Sequence, residues 1–266
     1  ASSRAYKQWR GLIAMKEAVS FECVEKSLSL LRTVAETFDS ALVSFSGGKD
    51  SLCCLDLALR TFKKVVCFYM YWADGLSWIE ESLQRAEKMY GVEIIQVPHW
   101  SYIRMKKYGI YCLPSPTLHD AKIADVYEYL RAETGIYPVI VGGKKADGIW
   151  RRTFVANSNA DMILNPIWDW NKYDVLAYLK AKNIPIPVSE GTICSGVDVS
   201  SKFLKWCYVN YPKDFEKMKE EFPFIEALIY KERYFGKEKK YIEKVVRDTL
   251  RLNKKERKDG RFKGVQ

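Results

Sequence analysis

The chain has 266 residues, a formal net charge of +10 and 48% hydrophobic residues, enough for one large domain or a domain with an appendage. No apolar run approaches the ~20 residues that cross a bilayer, and Ala1–Lys7 lacks the apolar segment of a signal peptide. A cytoplasmic protein without a membrane partner is therefore expected. Seven cysteines, an odd number with no Cys-x-x-Cys pair, argue against a disulfide framework. With His99 and His119 as the two imidazoles, no structural metal site is expected.

Apolar positions at three-to-four spacing predict a helix from Tyr6 to Phe38. Ala41–Phe45 reads as a buried strand, and Leu52–Leu59 as the helix after it. Lys64–Tyr71, β-branched and aromatic, predicts a second strand. Trp78–Tyr90 predicts a helix closed by Gly91, and Glu93–Val97 a strand stopped by Pro98. Trp100–Thr117, with Gly109, Pro114 and Pro116, reads as a loop. A helix over His119–Glu133 and strands at Tyr137–Gly142 and Met162–Pro166 follow, then a helix over Lys172–Lys182. Alternating strands and helices imply an α/β fold: an open, mostly parallel sheet with helices on both faces, plus a helical C-terminal extension. The expected division is a helical segment over 1–38, a nucleotide-binding core over 39–188 and a basic helical region over 189–266.

Ser46-Gly47-Gly48-Lys49-Asp50-Ser51 lies between the first core strand and its helix. Paired glycines permit a sharp turn and expose backbone N–H groups, and a helix N-terminus adds partial positive charge. Lys49 supplies a full charge, and Ser46 and Ser51 supply hydroxyls. Asp50 suits an N-cap role or the placing of a metal ion. The spacing differs from the Walker loop. A second glycine pair, Gly142-Gly143, leaves a later strand and is followed by Lys144, Lys145, Asp147, Arg151 and Arg152. Taken alone it reads as a basic turn with candidate phosphate or sulfate partners.

Ser46–Ser51 resembles the PP-loop, Ser-Gly-Gly-x-Asp-Ser, of the ATP pyrophosphatase and adenine nucleotide alpha-hydrolase superfamily. Gly142, Lys144, Asp147 and Arg151 fall on the Gly-x-Arg-x-x-Asp/Glu-Ser-x-x-Arg pattern of the phosphoadenylyl-sulfate (PAPS) reductase family. Lys144 stands where Arg is usual and Gly148 where Ser is usual. Asn165–Val175 is similar to that family's third segment, in which Trp170 and Val175 read as core. The resemblance covers roughly Ala41 to Pro187 and implies a Rossmann-like fold. It implies an adenine nucleotide with its phosphates on Ser46–Ser51, a sulfate or phosphate near Lys144 and Arg151, and Asp74 in a loop lining the pocket. ATP, with Mg²⁺, or a sulfonucleotide (PAPS or adenylyl sulfate, APS) is the expected ligand.

The sequence departs from the reductases in having no cysteine after Cys207 and no Cys-x-x-Cys beside Cys53-Cys54. An iron–sulfur cluster is therefore not expected. Cys194, in a glycine-flanked loop, is the candidate nucleophile beside Lys49 and Asp50, and Cys112 is a second; a small apolar filler is the plainer reading of both. The reaction is either sulfonucleotide reduction or cleavage of ATP at the α-phosphate with adenylation. Nucleic-acid sulfur modification, or a non-catalytic nucleotide-sensing or DNA-binding module, are the alternatives. Lys231–Gln266 carries 14 Lys/Arg against 6 Asp/Glu, a polyanion footprint or a solvated basic helix. The sequence leaves a homo-oligomer open.

Overall fold

The computed structural model describes residues 22–148, 161–185 and 198–234. They fall into two compact units interleaved along the chain. The first takes the described residues within 1–70, 81–100 and 121–187, and the second those within 71–80, 101–120 and 188–266.

The sheet has five strands: β1 (Ser40–Ser44), β2 (Lys64–Tyr71), β3 (Glu93–Pro98), β4 (Val139–Ile140) and β5 (Ile163–Leu164). Their order is β3-β2-β1-β4-β5. β1 runs parallel to both β2 and β4, and β4 runs parallel to β5. Val43 is level with Cys67 on one side and Ile140 on the other. The order reverses between β2 and β4, with β1 as the pivot. A crevice opens at such a reversal, beyond the carboxyl ends of the strands.

Side chains alternate across a strand, and here both sets are buried. Leu42, Val66, Phe68, Val139 and Ile163 form one core with Val126, Tyr127 and Leu130 of a helix, α5 (Ile123–Thr134). Val43, Cys67, Ile140 and Leu164 alternate with them and are equally buried. Helix α2 (Lys49–Leu59) packs on β1 and on α6 (Lys172–Ala181). Residues 22–35 form helix α1. Ser27 of α1 donates its hydroxyl to the Pro166 carbonyl at 2.5 Å and accepts the Trp170 indole N–H at 3.0 Å. Trp170 and Val175 are buried core residues.

The second unit gathers α7 (Ser201–Asn210), α8 (Pro212–Glu221) and α9 (Glu226–Tyr234) with residues 71–80 and 101–120. Trp78, Phe203, Trp206 and Tyr211 make one aromatic cluster, with Trp78 edge-on to Trp206 at 5.1 Å. Asp214, 1% exposed, accepts from the Ser77 N–H and hydroxyl, both at 2.9 Å, and from the Trp78 N–H at 3.4 Å. That carboxylate satisfies the orphan donors that open α3 (Ser77–Tyr90).

Three sequence expectations change at the element level. Residues expected in a loop form α4 (Trp100–Tyr108), which stops where Gly109 turns at φ +71°. Helix α5 starts at Ile123, not His119, because the Lys122 N–H is capped by Asp125 at 2.7 Å. Helix α2 starts at Lys49, three residues before the expected Leu52. Among the described residues, no helix is long and apolar enough to cross a membrane.

Leu179 of α6 is fully buried, so Leu179→Ala is expected to lower unfolding stability by about 2–5 kcal/mol. Urea denaturation monitored by circular dichroism measures it. A loss within error of zero would show that α6 does not carry this core.

Candidate functional site

Strand β1 delivers the chain to the crevice at Phe45, whose N–H still bonds the Phe68 carbonyl at 2.9 Å. The next residues leave the sheet. Gly47 sits at φ +70°, a left-handed conformation that disfavours any side chain. Gly48 is the N-cap of α2 and provides no side-chain cap. The helix opens on Lys49, Asp50 and Ser51, so its first N–H groups face the loop without a capping side chain. Ser51 is buried and donates its hydroxyl to the Gly48 carbonyl at 2.9 Å. The exposed Ser46 lies 3.4 Å from the Ser51 hydroxyl and accepts from the Gly48 N–H at 3.4 Å.

Asp50 is the second residue of α2, not its N-cap, which corrects one of its two expected roles. Its Oδ2 lies 3.2 Å from Lys49 Nζ and 2.6 Å from Lys144 Nζ. Asp50 Oδ1 is buried and has no hydrogen-bond partner.

The second loop leaves β4. Gly142 is pressed against the start of α2: a Cβ there would lie 3.3 Å from both the Asp50 carbonyl carbon and its Cβ. Gly143 and Lys144 are buried, and Lys145 to Gly148 are exposed. Asp147 Oδ1 lies 3.3 Å from Lys144 Nζ, and its Oδ2 accepts the Lys144 N–H at 3.2 Å. Lys145 turns to Asp169 at 2.8 Å, and Lys26 reaches the same carboxylate. Hydrogen bonds from those two lysines hold the Asp169 carboxyl below its usual range. The structure thus joins Ser46, Gly47, Gly48, Lys49, Asp50 and Ser51 to Gly142, Gly143, Lys144 and Asp147. Asp74 belongs to the second unit and is exposed. Arg151 and Cys194 lie outside the described residues.

Four of the described thiols are poor nucleophiles. Burial raises Cys53 and Cys54 of α2 well above the ordinary thiol range and pushes Cys67 up to about 12. Cys112 is also buried and raised, and its thiol points to the Met105 carbonyl at 3.7 Å. Burial lowers His99, directly after β3, to about 4, where it stacks on Trp100.

Sequence reasoning missed the Asp50–Lys144 pair and the contact of Gly142 with α2. A lysine flanked by a glycine pair and an aspartate three residues on is the one local signal for either. It also missed Asp169 and Ser27 as ties, because their partners lie more than twenty residues away.

A strand-glycine-helix cradle at the pivot of an open parallel sheet, faced by a second glycine loop, defines a PP-loop α/β protein. Residues 40–188 match the family model described as "Phosphoadenosine phosphosulfate reductase domain". The chain belongs to this family, within the PP-loop adenine nucleotide alpha-hydrolase superfamily. No curated protein sequence matches it. Among solved structures it is similar to the U34-tRNA thiolase NcsA from Methanococcus maripaludis with its [4Fe-4S] cluster. That match has 16% identity and TM-score 0.47, and covers 79% of this chain and 80% of the other. The NH3-dependent NAD synthetase from Campylobacter jejuni, in complex with nitrate, gives 14%, 0.46, 79% and 95%. The NMN synthetase from Francisella tularensis gives 16%, 0.45, 62% and 71%.

The thiolase corrects one expectation. The missing Cys-x-x-Cys argued against an iron–sulfur cluster, yet that similar structure carries one. Cluster ligands are set by convergence in space, so cysteine spacing alone does not exclude a cluster. Among the described residues, no three His, Cys, Asp or Glu side chains group to hold a metal.

His99 yields a pH prediction. In the folded chain it binds a proton only below about pH 4, whereas the unfolded chain takes one up near 6.5. Its contribution to stability is therefore full above about pH 6.5 and declines as pH falls toward 4. Urea midpoints across that range should drop less steeply in His99→Gln; an unchanged slope would show that His99 titrates normally.

Proposed function

We propose that the paired loops bind an adenine nucleotide and that the chain is an enzyme cleaving ATP at its α-phosphorus. An acceptor oxygen or nitrogen attacks that phosphorus. The bond to the bridging oxygen breaks, pyrophosphate leaves with the electron pair, and the acceptor's proton passes to solvent. The adenylated acceptor is the product. The observation that carries this reading is the meeting of the 46–51 and 142–148 loops at the pivot of the sheet, with Lys49 at the mouth of the uncapped helix. The helix N–H groups, the Ser46 hydroxyl and Lys49 would stabilise the charge that builds on the phosphates.

Adenylation is preferred over sulfonucleotide reduction because reduction needs a thiolate and the sequence has no cysteine after Cys207, where the reductases carry theirs. Among the described residues, burial keeps Cys53, Cys54, Cys67 and Cys112 protonated at neutral pH; Cys194 lies outside them. The basic stretch Lys231–Gln266 favours a nucleic acid as acceptor.

Incubation with ATP labelled at the γ-phosphate should release labelled pyrophosphate when transfer RNA is present. Sulfite release from PAPS or APS, without pyrophosphate from ATP, would overturn the choice of reaction. Lys49→Ala should abolish nucleotide binding while the circular dichroism spectrum is kept. Gly47→Val, which forces a β-branched residue to φ +70°, should do the same. Unchanged affinity in both variants would remove the pocket assignment. Deleting Lys231–Gln266 should weaken RNA binding more than ATP binding, and equal losses would make the tail structural.

A further inference from the structure

Lys144 stands at the family's cationic position, where the expected duty is to hold the ligand's sulfate or phosphate. Its surroundings point elsewhere. The side chain is 4% exposed, and its ammonium lies 2.6 Å from Asp50 Oδ2 and 3.3 Å from Asp147 Oδ1. Two carboxylates offset its charge, and the contact with Asp50 leaves no room for an anion between them. Gly142, two residues earlier, is packed on the Asp50 backbone at the distance where even a methyl group would crowd it.

We infer that Lys144 is a positioning residue that acts through Asp50, rather than a ligand of the nucleotide. The Asp50 oxygen that meets Lys144 also meets Lys49 Nζ at 3.2 Å. Lys144 fixes that oxygen, that oxygen restrains Lys49, and Lys49 meets the phosphates. The 142–148 loop therefore sets the aim of the PP-loop cation from behind. A buried ammonium held by carboxylates on both sides has a fixed position, which an exposed lysine lacks. This role rests on the nucleotide reading given above.

The test is a cycle of ATP titrations by calorimetry on the full chain: unsubstituted, Lys144→Met, Asp50→Asn and both together. Acting through Asp50, Lys144→Met should weaken ATP binding about tenfold when Asp50 is present. In the Asp50→Asn background it should change affinity by less than about twofold. An equal loss in both backgrounds would make Lys144 a direct ligand and overturn the inference, leaving the nucleotide site intact. Unchanged affinity in both, with only a lower melting temperature, would make it purely structural and overturn it too. Should Lys144→Met alone fail to fold, the Asp50→Asn pair still decides, because the double variant leaves no buried carboxylate of residue 50 unpaired. Equal affinities in that pair, each about tenfold below the unsubstituted chain, support the role; equal affinities without that loss, or a further loss in the double variant, refute it. Failure of the unsubstituted chain to bind ATP would remove the nucleotide reading itself, and this role with it.

Discussion

Gly142 has no side chain, and the first turn of α2 uses the space that one would fill. The rest of the candidate site follows from that contact. It brings the loop after β4 against the loop after β1. It also lets Lys144 reach Asp50 from a buried position. A buried charge pair adds little net stability over an apolar pair of the same shape, but breaking one side of it is costly. The pair therefore specifies geometry more than it stabilises the fold. The parallel pairing of β1 with β4 sets the register, and the charge pair secures the tips of the two loops.

The sheet was legible because its strands are short apolar runs bounded by glycine, proline and charged residues. The helix expected as α2 began too late because Lys49 and Asp50 are polar, and polarity hides a first turn that faces a loop. Helix α4 was missed for a related reason. Trp100–Tyr108 has no fully buried face, so no apolar stripe marks it, while the nearby Gly109, Pro114 and Pro116 read as loop chemistry. The 46–51 cradle was plain from six consecutive residues. Its partners were not, since ion pairs across nearly a hundred positions leave no local pattern.

Two carboxylates of α8 tie the second unit together. Asp214 is almost wholly buried and gives both oxygens to the start of α3. The aromatic cluster of Trp78, Phe203, Trp206 and Tyr211 surrounds the same turn. Glu221 plays a comparable part at the other end of α8, accepting from Tyr102 at 2.7 Å and pairing with Lys106 at 2.8 Å. Stretches 71–80 and 101–120 are thus held by acidic residues of α8, which explains how sequence-distant pieces make one compact body.

The family match opens at residue 40, but the ties of the first unit open earlier. Ser27 satisfies the indole of Trp170, and Lys26 shares Asp169 with Lys145. A fragment trimmed to the family boundary would bare a buried tryptophan nitrogen and loosen the carboxylate that steadies the loop after β4. The ties of the first unit therefore extend beyond its homology domain, and a dissection of the chain keeps them only if it keeps α1.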